Sequence, residues 1–356
     1  MNMLDRYVAR TLLGAVLLVM SVLMVLGFLF VFIDQQGDIG VGHFTTVDAL
    51  VYSLMNLPQF ITKALPAGAL IGALLGMGVL ARSHELTAMR ATGMSKGHIA
   101  RAALLGGVVL VIGGGLLGEW LAPPLEQLSD QRKAFAKYRD VSFAGRGGAW
   151  MRDGDRILNV ERLSANEEYG GLMLFELGPH QQLVRVARAN RASAADPQHW
   201  ELRGFAASTF DGFEHVTATT ADSELLPTGA SAGFLQLANV APQELSALTL
   251  YRMIHYLQTN RLRASDYVFA LWSRLARNVA ILVAVLFAVP FAFGSLRTAG
   301  AGARTTLGLV IGLVYFFLQR LVESGTAVFS LNPTLLAWLP CGLLAVAAAI
   351  LYARVR

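Results

Sequence analysis

Charge is the scarcest commodity in this chain. Only 15% of its 356 residues are Asp, Glu, Lys or Arg, where a soluble domain carries about 25%. Cysteine is nearly absent too: Cys341 stands alone inside an apolar run. It cannot form an internal disulfide and reads as a small apolar filler. The catalytic signatures are missing as well. There is no G-x-x-x-x-G-K-[ST] phosphate loop, and Gly93-Met94-Ser95-Lys96 lacks that loop's glycines and spacing, so the chain is not expected to bind ATP by itself. No H-E-x-x-H, C-x-x-C or G-x-S-x-G occurs, and the seven histidines have no metal-ligand spacing. These absences argue against an enzyme and leave no cofactor or metal to expect.

What is present is apolar: 54% of residues are hydrophobic and the mean hydropathy is +0.51. A membrane-spanning helix needs about 20 mostly apolar residues. Six runs qualify, near 11–33, 58–80, 102–122, 268–293, 305–323 and 335–353. The first is longer than a secretory h-region and no A-x-A site follows it, so it reads as a retained helix. The net charge of +5 does not imply nucleic acid, because the basic residues gather at the ends of apolar runs. Arg6, Arg10, Arg82, Arg90, Lys96, Arg101, Arg297, Arg304, Arg354 and Arg356 all fall on one side, while the short loops 34–57 and 324–334 hold no Lys or Arg. That asymmetry predicts cytoplasmic termini and places the polar middle of the chain outside.

The fold class expected is an α-helical membrane protein, six transmembrane helices split three and three, with an inserted periplasmic β-jelly-roll or sandwich domain. Residues 1–139 would hold the first three helices, 140–246 the β domain, and 247–356 a connecting helix with the last three. Alternating runs at Trp150–Val160, Gly171–Leu177, Gln182–Arg188, Trp200–Phe205 and Phe213–Thr219 read as strands, punctuated by turns such as Asp153-Gly154-Asp155. Glu126–Tyr138 and Leu245–Asn260 read as flanking helices that lift the domain off the membrane. Glycines four apart (Gly68, Gly72 and Gly76; Gly114 and Gly118; Gly308 and Gly312) predict close helix packing. Trp120, Trp272 and Trp338 lie near helix ends, as aromatic belts do.

The segment Arg82–Gly93 predicts a short cytoplasmic helix. Ser83 is placed to cap it, Glu85 favours its first turn and Gly93 can close it in the left-handed region. Leu86 and Met89 share one small apolar face. Two readings stand: docking into a groove on a soluble partner, or lying on the lipid surface. At membrane depth, Lys63, Glu119, Arg320 and Glu323 are costly and therefore functional candidates. Arg320 sits about 22 Å along its helix, in the outer-leaflet half. It suits an anionic headgroup, or else snorkels or pairs with Glu323.

Several motifs together resemble the LptF/LptG family of lipopolysaccharide-export permeases, its LptG side more closely. They are Leu4-Asp5-Arg6-Tyr7, Phe32-Ile33-Asp34-Gln35, the loop Ser83–Gly93, Gly118-Glu119-Trp120-Leu121-Ala122-Pro123 with Glu126-Gln127, Trp150-Met151-Arg152-Asp153-Gly154, and Phe293-Gly294-Ser295-Leu296-Arg297. The resemblance covers essentially the whole chain. It implies a non-catalytic permease subunit in the bacterial inner membrane. The partners implied are a cytoplasmic ABC ATPase dimer, a paralogous LptF-like permease, and a periplasmic bridge with a membrane-anchored LptC-like protein; the cargo is lipopolysaccharide. It assigns ATPase coupling to Glu85, Leu86, Met89 and Arg90, and a lipid gate to the first and fifth helices. Family members often carry lysines at the outer end of the first helix. Here Val31–Gly37 has no basic residue, so the lipid-binding candidates are Asp34, Lys63, Lys133 and Arg320. A scaffold or regulator coupled to an ATPase without lipid transport is the competing expectation; such relatives usually have four membrane helices.

Overall fold

The structure is a computed structural model that describes residues 3–137, 149–163, 168–179, 182–196, 199–211, 215–227, 240–293, 301–325 and 332–354. Arg297, Arg356, Tyr138, Phe213, most of loop 324–334 and the boundary at 139/140 lie outside these residues. The helices are α1 Met3–Asp34, α2 Thr46–Arg82, α3 Glu85–Ala91, α4 Lys96–Leu116, α5 Ala122–Lys137, α6 Ala247–Thr259, α7 Ser265–Phe293, α8 Ala301–Gly325 and α9 Pro333–Arg354. Six of them (α1, α2, α4, α7, α8 and α9) are long and apolar enough to cross a membrane. The protein is a multi-pass helical membrane protein with a β domain inserted between its third and fourth spans.

The central post is α2. It begins before its apolar run, where Thr45 accepts from the Asp48 backbone N–H and the Asp48 carboxylate accepts from that of Thr45. This reciprocal cap satisfies donors that a helix start leaves orphaned. Helices α1, α7 and α8 all pack along α2, and one continuous apolar core joins them to α3, α4 and α9. The glycine stripe sets the spacing. A Cβ at Gly72 would stand 2.5 Å from the Val16 Cα, and one at Gly312 would stand 2.6 Å from the Ile71 side chain. Such approaches are open only to glycine.

The third span does not end where its apolar run ends. A wide turn at Leu117–Leu121 carries α4 directly into α5, with the Ala122 N–H donating to the Leu117 carbonyl. Pro123 follows and has no N–H to give the normal helical bond. The stalk expected as a separate helix is therefore a continuation of the span.

The β strands form one antiparallel meander in chain order: β1 Ala149–Asp153, β2 Arg156–Leu163, β3 Glu168–Leu177, β4 Leu183–Asp196, β5 His199–Asp211 and β6 His215–Pro227. Gly154, at φ +61°, makes the β1–β2 turn. The later strands run well beyond their expected lengths, because Ala-, Ser- and Thr-rich pairs keep the ladder going past the apolar alternation. The pairing passes over Gly171, Asn190 and Gly204 along one line across the sheet without a change of register, and the two glycines are at positive φ. On β5, Trp200 and Leu202 are buried before the line, and Phe205 and Ala207 after it. The inward face thus changes parity there. Residues from both sides of the line meet in one core around fully buried Trp200.

Candidate functional site

At the β-domain end of the bundle a cavity of about 410 Å³ opens between α1, α2, α5 and α8. Part of its lining is apolar: Phe30 and Val31 from α1, Phe60 from α2 and Phe316 from α8. Polar groups stand among them, Lys63 one turn from Phe60 and Arg320 one turn from Phe316, with Glu126, Gln319 and Glu323. Arg320 approaches Glu323 at 3.7 Å, and Gln319 donates to the same carboxylate at 3.3 Å. Lys63 is half-buried and feels the charges of Glu126, Glu323, Glu244 and Arg277. Glu126 is buried, and its Oε2 has no hydrogen-bond partner among the described residues. An amphiphile with an anionic head and apolar tails matches such a mixed lining.

The expected lipid candidates separate into two groups. Lys63 and Arg320 share the cavity. Lys133 lies off it, held by Asp38 at 2.8 Å and by the Gln35 side-chain carbonyl at 2.5 Å, with its ammonium 4.9 Å from the centre of the Tyr52 ring. Lys137 grips the other oxygen of Asp38 at 2.5 Å. Asp34 is exposed at the end of α1. The Lys133–Asp38–Lys137 cluster leaves positive charge at the mouth of the first span, which its own sequence lacks.

Behind the cavity stands a joint built on Arg274. Its guanidinium donates to the Gly118 carbonyl at 3.1 Å, the Gln243 carbonyl at 3.2 Å, the Leu245 carbonyl and the Glu119 carboxylate at 3.4 Å. Glu119, set by the wide turn, accepts the Ala247 N–H at 2.9 Å and so caps the start of α6. An anion at a helix N-terminus is favourable by dipole and hydrogen bond alike. At its far end α6 meets the β domain: the Tyr256 hydroxyl donates to the Arg152 carbonyl at 2.6 Å, and Asn260 accepts the Gly154 N–H at 3.0 Å. Burial pushes the Tyr256 hydroxyl up to about 12, which keeps it a donor. Burial also raises the Glu244 carboxyl, with Asp130 adding to the effect and Lys63 opposing it.

Sequence reasoning passed over Arg274, Arg277 and Glu126. The available signal was two arginines three apart inside the apolar run 268–293, which places them on one helix face at membrane depth.

The loop helix α3 forms at the opposite end, with two differences from expectation. Its N-cap is His84, in the left-handed region at φ 60°, while Ser83 instead donates back to the Val79 and Leu80 carbonyls of α2. The direct passage from α2 to α3 leaves no room for Ser83 to stand outside the first turn. Leu86 and Met89 are buried in the bundle core, so the apolar face points inward rather than toward a partner. The connections on either side of α3 are too short to lift it away. Glu85 stays half-exposed near the Tyr7 hydroxyl, and Arg90 is exposed over the Phe293 ring at 5.8 Å. Gly93, at φ 93°, closes the helix as expected.

Residues 6–354 match the family described as lipopolysaccharide export system permease LptF/LptG. The lipopolysaccharide export system permease protein LptG of Escherichia coli (strain K12) is 29% identical over 341 residues, covering 95% of this chain and 94% of that protein. The protein of the same description from Haemophilus influenzae is 28% identical over 340 residues, covering 95% of each.

Proposed function

The chain belongs to the LptF/LptG family of lipopolysaccharide export permeases, and from that premise we propose that it is an LptG-type subunit that draws lipopolysaccharide out of the outer leaflet of the bacterial inner membrane. The observation that carries this reading is the cavity's mixed lining. Phe30, Val31, Phe60 and Phe316 offer an apolar surface to acyl chains, and Lys63 and Arg320 face the same space. The cavity lies between α1 and α8, the first and fifth spans.

Each buried CH₂ contributes about 0.8 kcal/mol to membrane retention, so extracting a multi-chain lipid needs outside energy. ATP hydrolysis on a cytoplasmic ABC ATPase dimer would supply it, entering through the half-exposed Glu85 and the exposed Arg90 of α3. An LptF-like permease would complete the cavity. The β domain, on the periplasmic side, would hand cargo to the bridge and its LptC-like member, while both termini stay in the cytoplasm. The test is lipopolysaccharide-stimulated ATP hydrolysis by the purified complex with Lys63→Glu and Arg320→Glu. Each charge reversal is expected to cut stimulation by about tenfold, a 1.4 kcal/mol loss of binding. Full stimulation in both would remove the cavity from the transport path, and a complex that never responds to the lipid would favour an ATPase-coupled scaffold.

A further inference from the structure

We propose that Arg277 and the smaller cavity beside it form a binding site for one compact anion, of chloride to phosphate size, inside the helix bundle. The site is separate from the cargo cavity and would stand if that cavity carried no lipid. Arg277 lies about 18 Å into α7, within the apolar run of the span. Its Nε is buried and has no hydrogen-bond partner among the described residues. The charge of an arginine at membrane depth is costly unless a partner offsets it. No carboxylate among the described residues stands within ion-pair distance of Arg277. Glu119 is taken by Arg274, and Glu323, which attracts Arg277 from farther off, contacts Arg320.

Space for the missing partner is present. A cavity of about 130 Å³ lies between α2, the wide turn at the end of α4, and α7, and its polar lining includes Gln59, Thr62, Glu119, Arg274, Arg277 and Asn278. Bulk water takes about 30 Å³ per molecule, so the cavity has room for a chloride with its waters or a single phosphate group, and none for an acyl chain lipid. Water alone would satisfy N–H groups but would leave the charge of Arg277 uncompensated. Arg274 is fully engaged, its donors going to the Gly118, Gln243 and Leu245 carbonyls and to Glu119. The Glu119 carboxylate opposes an anion, but it already accepts the Arg274 guanidinium and the Ala247 N–H, which offset its charge. Lys63 adds positive charge from α2. Arg277 is thus the cation left to hold the ligand, with the Asn278 amide beside it. Gln243 and Ala247 also line the cavity, so an anion there would brace the α6 joint.

The test uses the full-length chain in dodecyl maltoside, an uncharged detergent without phosphate, in a gluconate buffer whose anion is bulkier than the cavity. Replacing gluconate by chloride at constant ionic strength, or adding inorganic phosphate, should raise the unfolding temperature by a few degrees and saturate, as binding to the folded state does. Arg277→Gln should abolish that dependence, and in gluconate it should melt above the unaltered chain, because an uncompensated buried charge is gone. Arg277→Lys keeps the charge and should keep a weakened response. Arg252→Gln, at an exposed position on α6, should respond as the unaltered chain does. Bis-phosphorylated lipid A added in gluconate separates the sources: loss of the chloride response would mean that a phosphate of the lipid fills the site, and a persistent response that a free anion does. An unfolding temperature indifferent to chloride and phosphate alike overturns the site. So does an Arg277→Gln chain that responds like the unaltered one, since the anions would then act elsewhere. Should Arg277→Gln not fold, crystals of the unaltered chain grown in bromide decide: anomalous density at the Arg277 guanidinium supports the site, and its absence overturns it. The chloride arm involves no cargo, so failure of the lipid reading would leave it intact.

Discussion

Gly72 shows how one missing side chain sets the architecture. It faces the backbone of α1 so closely that a Cβ would lie 2.5 Å from the Val16 Cα and 2.8 Å from the Val16 nitrogen. Backbone cannot swing aside as a side chain can, so a larger residue must push the first two spans apart. Gly14, on the same pair of helices, has open space where its Cβ would stand. Gly72→Val is expected to destabilise the bundle by about 1–3 kcal/mol through overpacking, and Gly14→Ala to leave it unchanged or slightly better, since alanine is the stronger helix former. Thermal unfolding in detergent reads the difference. Equal melting of the two variants would mean that α1 is not held against α2 at this spacing.

Among the elements, α6 is the one whose role depends most on its ends. It is pinned to the bundle by Glu119 and Arg274, and to the β1–β2 hairpin by Tyr256 and Asn260. It therefore works as a strut between the two parts of the chain. Glu119→Ala removes the acceptor of the Ala247 N–H, leaving Ser246 to cap α6 alone, and leaves Arg274 without its carboxylate, a loss of about 1–3 kcal/mol at this joint. Amide hydrogen exchange should rise across Ala247–Thr259 while α2 stays protected; unchanged exchange there would show that packing alone seats α6.

Such joints are hard to see in a sequence, although much around them is plain. The six spans were legible from run length, and the β1–β2 turn from Asp153-Gly154-Asp155, because both signals are local. Glu119 drew notice as an ion at depth, but its partners lie 128 and 155 positions away, and no local pattern points to them. Leu86 and Met89 make the opposite case. A two-residue apolar face looks the same in sequence whether it seats in a partner or in its own bundle, and only the short connections to α2 and α4 decide the matter.

At the scale of the whole molecule the working parts are spread along the membrane normal. Helix α3 lies at the end where α1 begins, with Glu85 beside Tyr7, the cavity and the α6 joint lie at the other, and α2 runs between them. On the function proposed above, a signal from an ATPase would enter at α3 and travel along packed helices. Leu86 and Met89 fasten α3 to the core, which is what such transmission requires; a loosely attached helix would absorb the push. On the same reading, Glu85 and Arg90 would remain to meet the partner.

Glu85→Lys separates docking from folding. It reverses a charge at the start of α3, where the helix dipole favours an anion by only about 0.3–1 kcal/mol, too little to unfold a bundle whose apolar anchor is intact. The expected outcome is normal expression and melting, with most of the ATPase lost on mild purification from native membranes. Leu86→Asp should behave differently, burying an unpaired charge in the core and lowering the melting temperature itself. If Glu85→Lys retains its ATPase at the level of the unaltered chain, Glu85 makes no contact that holds the complex, and the docking surface must be sought on Arg90 and the neighbouring exposed turn.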